Sequence, residues 1–174
     1  MIPGFLISIL TFPGVIAHEA AHKFFCDRAG VPIKAVCYFR FGNPAGFVIH
    51  GPAEKAGQSF LITIGPLLVN SLLCVLLTFS AFIYRRYYGG GGSSLIYWFF
   101  MWLGIAIGMH AFPSNEDAAS FAASVKRMNR KGILYLVAIP FAGLVALANV
   151  LKIFWFDLIY AVGLSYILPN IIFK

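Results

Sequence analysis

Residues 5–25 read FLISILTFPGVIAHEAAHKFF. As a helix this run would be ~31 Å long at ~1.5 Å per residue, enough to cross the ~30 Å hydrocarbon core of a bilayer. Inside it lies His18-Glu19-Ala20-Ala21-His22. Residues four apart project from one helical face, so the two imidazoles converge on one point, as two ligands of a tetrahedral Zn²⁺ must. The glutamate beside the first histidine can then serve as general base toward a metal-activated water. From the chain's own His and Glu frequencies, an accidental H-E-x-x-H has a probability of roughly 0.2%. The bland reading is a set of polar residues snorkelling at a helix end. Cost argues against it, because a glutamate between two histidines within a span is expensive unless it is used.

The rest of the chain fits a membrane setting. It is 60% hydrophobic and only 11% charged, far from the profile of a soluble globular domain. At 174 residues it reads as one membrane-embedded unit, too short for an appended soluble domain. Cys26, Cys37 and Cys74 have no disulfide-framework or C-x-x-C spacing. No cleavable signal peptide is expected, since the first charge is Glu19 itself. Uncharged runs at Ala56–Tyr84, Tyr87–Asn115 and Gly132–Leu151 supply three further spans, the second of these with its helix starting near Ser94. Ile153–Phe173, interrupted by Asp157 and Pro169, supplies a fifth. The expected fold is therefore an all-α polytopic membrane protein of about five transmembrane helices. Gly89–Ser94 reads as a flexible connector.

Basic residues set the expected sidedness. Ten of the thirteen Lys and Arg fall in the loop between spans one and two, the loop between three and four, and the C-terminal Lys174, against three (Arg85, Arg86, Lys152) on the other side. The positive-inside rule then puts the N-terminus outside and the long loops in the cytoplasm. This accounts for the net charge of +7 without nucleic acid.

His18 and His22 then lie in the cytoplasmic half of span one, and a third ligand must sit at that depth. Span three ends there in His110-Ala111-Phe112-Pro113-Ser114-Asn115-Glu116-Asp117. Pro113 breaks the helix, and irregular backbone at that depth must line a protein-enclosed cavity. Asp117 is the preferred ligand, with Glu116 and His110 as alternatives. Ser114-x-x-Asp117 also reads as a capping box opening a helix over Glu116–Arg130. His110 is more plausibly a hydrogen-bonding residue near the site. Asn70, in Gly65-Pro66-x-x-x-Asn70, is open to two readings: an amide tying neighbouring helices together, or an oxyanion donor. Between spans one and two, Val36, Tyr38, Phe39 and Phe41, then Phe47, Val48 and Ile49, flank the turn-rich Gly42–Gly46, which predicts a β-hairpin. His50, at its end, reads as a surface histidine.

Over about Phe5–Asp117 the chain resembles the site-2 protease family of intramembrane zinc metalloproteases. His18, Glu19 and His22 match its zinc helix, and Ala111-Phe112-Pro113 with Asp117 resembles the aspartate-bearing run of a later span. Gly65-Pro66-x-x-x-Asn70 is also family-like, and it favours the oxyanion reading of Asn70. The remainder, residues 118–174, is read as a cytoplasmic amphipathic helix followed by a helical hairpin. The resemblance implies a Zn²⁺ cofactor held by His18, His22 and Asp117 with Glu19 as base. It also implies a hairpin sheet beside the site and, as substrate, a single-span membrane protein cut within or next to its transmembrane segment. An open sheet edge would hold such a segment unwound, since a helix hides its carbonyls in i→i−4 bonds. The alternative is a pseudoprotease that binds transmembrane segments without cutting them. A transporter lacks midplane acids here, and four histidines are too few for a di-iron histidine-box enzyme.

Overall fold

The computed structural model describes residues 4–88, 94–128 and 132–172. The Gly89–Ser93 connector, Arg130, Lys131 and Lys174 lie outside these. The described chain is mostly helical, with one small sheet. Seven α-helices follow in order: α1 Gly4–Leu10, α2 Phe12–Ala29, α3 Ala56–Tyr88, α4 Leu95–Met109, α5 Asn115–Lys126, α6 Ile133–Leu151 and α7 Phe156–Ile172.

Among the described residues two helical stretches, rather than about five, are each long and apolar enough to cross a bilayer: Gly57–Tyr88 and Ile133–Phe154. The expected first span is divided. Thr11 leaves helical geometry at φ −116°, ψ 29° and returns its hydroxyl to Ile7 O at 2.7 Å, while Pro13 sits in the first turn of α2, where a missing N–H costs nothing. The polar pentapeptide then lowers the apolarity of α2, and α4 and α7, at 15 and 17 residues, are shorter than the ~20 residues a straight crossing takes.

Close helix contacts define the core. α3 packs against both α2 and α4 and runs antiparallel to them: Phe25 of α2 packs at Gly65, and Gly108 and Gly104 of α4 pack in turn on Cys74 and Thr78. Gly104 and Gly108 are one turn apart, giving α4 a small-residue groove that lets its backbone approach α3. Gly14 makes the same approach between α2 and α4, where a Cβ would collide with Ala106 and the His110 ring. α7 covers the other side of this bundle, with Ala161 and Ser165 against Cys74, and Tyr160 Oη bonding Ser71 Oγ at 2.7 Å.

α5 and α6 form a second, smaller cluster. Phe60 from the first turns of α3, Phe121 of α5 and Phe141 of α6 stack mutually at 5.3–6.0 Å. α6 and α7 are not folded back on each other as a hairpin. A single 3₁₀ turn, Lys152–Phe154, and Trp155 at φ 60° separate them, and each packs on a different part of α3. This moves Lys152 from the position its place in the sequence implies. Instead of standing with Arg85 and Arg86, its ammonium donates to Pro113 O at 3.2 Å. The end of α6 thus lies beside the α4–α5 linker.

Gly30, at φ 68°, closes α2 with its N–H on the Cys26 and Asp27 carbonyls, the left-handed cap that glycine supplies at least cost. The chain then enters β1, Ile33–Cys37, which pairs antiparallel with β2, Phe47–His50, Ile33 facing His50 and Cys37 facing Phe47. The hairpin is shorter than its sequence suggests. Tyr38, Phe39 and Phe41 belong to the connecting loop, which closes on itself through Arg40 N–H to Ala45 O at 2.7 Å. That loop leans on α2: Phe39 packs on Phe12 with centroids 5.8 Å apart, and Gly46 lies so close to Glu19 that a Cβ there would stand 2.8 Å from Glu19 Cγ.

Candidate metal centre

One turn of α2 separates His18 from His22, and both side chains are buried (7% and 5% exposed) on the face toward the α4–α5 linker. Asp117 reaches them from the first turn of α5. The Nε2 atoms of His18 and His22 are 3.1 Å apart, Asp117 Oδ2 is 3.2 Å from His22 Nε2, and it is 3.7 Å from His18 Nε2. A tetrahedral ion with bonds of ~2.0–2.1 Å spaces its ligand atoms ~3.3–3.4 Å apart. The three observed edges bracket that value. Among the described residues this is the one group of three His, Cys, Asp or Glu placed to share a cation.

Hydrogen bonds behind the ligands orient them. His18 Nδ1–H donates to His110 O at 2.6 Å, which leaves its Nε2 lone pair directed at the shared point, as a ligating histidine requires. Asp117 Oδ2 accepts from Ser114 N at 2.9 Å and Ser114 Oγ at 2.7 Å, while Asp117 N–H donates back to Ser114 Oγ at 3.1 Å. The capping box and the approach to the histidines thus coexist in one carboxylate, because α5 starts at Asn115, one residue earlier than expected. Burial opposes the Asp117 charge, but while no ion is bound, N–H groups that the two imidazoles turn toward it outweigh burial and hold its carboxyl well below the usual carboxylate range.

The alternative ligands face elsewhere. Glu116 is exposed. The Thr11 hydroxyl proton goes to Ile7 O, so His110 Nε2–H donates to Thr11 Oγ1 at 2.8 Å; its backbone carbonyl, not its ring, serves the site. Thr11 gave no signal in the sequence, because the pairing spans 99 residues. Asn70 is fully buried and its NH₂ meets three carbonyls: His110 O at 2.9 Å, Ile107 O at 3.3 Å and Gly14 O at 3.4 Å. That arrangement fits the helix-tying reading and leaves no donor turned toward the three ligands. Because His110 O also takes the His18 proton, Asn70 acts on the site through that carbonyl.

Glu19 is half-buried beside the ligands and accepts no hydrogen bond from the described residues. A cavity of about 250 Å³ opens beside Asp117, between the His50–Ala53 linker, Ser59 and Thr63 of α3, and Ser120, Ser124 and Arg127 of α5. His50 lines this cavity with its Nδ1–H on Gly51 O at 2.7 Å, apart from the ligand group.

No family model, curated protein or solved structure matches the chain.

Proposed function

We propose that this protein is an intramembrane zinc metalloprotease that hydrolyses a peptide bond within or next to a transmembrane segment of a membrane-protein substrate. The observation that carries the reading is the ligand triangle with a hydrogen-bond-free carboxylate, Glu19, next to it in the chain. His18, His22 and Asp117 would hold Zn²⁺, which when bound supplies Lewis acidity and brings the pKa of a water toward ~7. Glu19 takes the proton from the attacking water and delivers it to the leaving amine. Its freedom from structural hydrogen bonds suits that exchange. A merely structural glutamate beside two buried histidines would be expected to have a partner.

The surroundings suit a membrane substrate. Leu61, Leu68, Leu72 and Leu76 form an exposed apolar stripe on α3, and Leu136, Ile139, Leu144 and Leu147 are exposed on α6, surfaces that belong in lipid. Arg85 and Arg86 stand at one end of α3, while Lys23, Arg28, Lys34, Lys55, Lys126 and Arg127 gather around the other. That asymmetry favours a multi-pass protein with the metal centre toward the cytoplasm. The two-stranded sheet leaves its outer edges unpaired among the described residues, and its loop touches Glu19, so an extended substrate segment has an edge to pair with beside the base.

The test is cleavage of single-span substrates by the purified protein. Wild type should carry about one zinc per chain and lose activity to a chelator, with recovery on zinc addition. Glu19→Gln should keep the zinc and lose cleavage. Intact zinc binding with cleavage unaffected by Glu19→Gln would refute the mechanism; zinc binding with no cleavage of any span would favour a pseudoprotease.

A further inference from the structure

Lys152 is a charged side chain at the end of the long apolar stretch Ile133–Phe154, and it is partly buried rather than extended to solvent. An ionisable group in such a place is costly and marks a functional site by default. Its ammonium donates to Pro113 O at 3.2 Å. One turn earlier on α6, Asn149 Nδ2 donates to Ser114 O at 3.4 Å, the longer and weaker of the two bonds. Asn149 Oδ1 is buried with no hydrogen-bond partner, an arrangement that stability alone disfavours. Three residues past Lys152, Trp155 adopts φ 60°, a left-handed conformation that bulky residues rarely take and that clusters near functional sites. That break ends α6 with Asn149 and Lys152 facing the linker between α4 and α5.

Pro113 and Ser114 are the residues these side chains hold, and Ser114 is the residue whose N–H and hydroxyl hold Asp117 Oδ2. Pro113 is fully buried and has no N–H of its own, so its carbonyl is the backbone group by which it can be held. We infer that Asn149 and Lys152 are positioning residues for the third metal ligand: they anchor the Pro113 and Ser114 carbonyls, and so set where Asp117 stands relative to His18 and His22. The inference rests on the metal site proposed above, and it assigns the fourth apolar segment, which lies outside the stretch resembling a known protease core, a part in that site.

Zinc affinity of the full-length protein in detergent, measured by competition with a chromophoric chelator, tests this alongside the visible spectrum of the Co²⁺-loaded protein. Lys152→Met should weaken zinc binding 10–100-fold, the effect of disturbing groups behind a metal ligand, and should alter the cobalt bands. Lys152→Arg, which keeps a cationic donor, should restore most of the affinity. Asn149→Leu removes the orphaned oxygen with the amide, so it should weaken zinc without lowering thermal stability. Wild-type zinc affinity and cobalt spectrum in folded Lys152→Met and Asn149→Leu would overturn the inference and leave the metal site standing. Loss of zinc in parallel with loss of fold, unrescued by Lys152→Arg, would also overturn it, as a general packing role. A wild-type protein that binds neither ion would reject the metal site and the inference together.

Discussion

A methyl group at Gly14 should disable the metal centre without touching any ligand. Gly14 is one turn before His18 on the same face of α2, where the α2 backbone lies close against α4. A Cβ built there collides first with the Ala106 carbonyl oxygen, a backbone atom that only a shift of α2 against α4 can relieve, and lies 2.6 Å from His110 Cδ2 and 2.8 Å from Ala106 C, where ordinary contact starts at 3.4 Å. The His110 ring would need to retreat about 0.8 Å to reach ordinary contact distance, and Thr11 holds that ring in place. Metal–ligand distances tolerate only about ±0.2 Å, so a shift of this size passed between α2 and α4 opens the gap between His18 and the linker bearing Asp117. The overpacking should cost about 1–3 kcal/mol of stability, and zinc affinity should fall at least ~10-fold, about 1.4 kcal/mol. The control is Gly143→Ala on α6, where a Cβ meets nothing within 4 Å and stability should hold or rise slightly. Chelator competition and thermal unfolding on the two variants give the answer. Wild-type zinc affinity in Gly14→Ala would refute the idea that the α2–α4 approach sets the site's geometry.

Three further outcomes follow from the same geometry. Ser114→Ala removes both the α5 cap and a donor to Asp117, so it should cost about 1 kcal/mol in unfolding and weaken zinc 10–100-fold; an effect on stability alone would separate the cap from the ligand. Asn70→Ala should destabilise by about 2–4 kcal/mol through lost buried bonds and a cavity, measured by thermal unfolding, whereas an oxyanion donor would lose turnover at unchanged stability. In a Cys37→Ser background, with Cys26 and Cys74 buried, Tyr88→Cys and Lys126→Cys should react with an impermeant thiol reagent from opposite faces of the membrane. Labelling from one face would overturn the proposed topology.

What the sequence disclosed was local. The i, i+4 histidines, the Ser114–Asp117 cap, the start of α4 after Ser94 and the hairpin between the first two apolar runs all depend on residues a few positions apart, where spacing fixes geometry. The meeting of Asp117 with two histidines 95 and more positions away was legible only because both ends carried a motif. Long-range partners without a motif stayed hidden: Thr11 for His110, the three carbonyls around Asn70, and Lys152 beside Pro113. The number of helices long and apolar enough to cross was overestimated because apolarity along a run says nothing of where Thr11 or Trp155 interrupts it.

The carbonyls gathered at Asn70 have a consequence for how the molecule opens. α2 and α4 cannot leave α3 one at a time without stripping that buried amide of its acceptors, so the three helices should breathe as one cooperative unit, with a shared opening free energy in hydrogen exchange. α5 and α6 hold to this unit mainly through the Phe60–Phe121–Phe141 stack and the linker contacts, and should open more readily. Two ligands therefore ride on the tighter body and the third on the looser one. An ion bound between them would act as a rivet, and its arrival would be recorded as slowed exchange along α5, 95 and more positions along the chain from the histidines that share the ion.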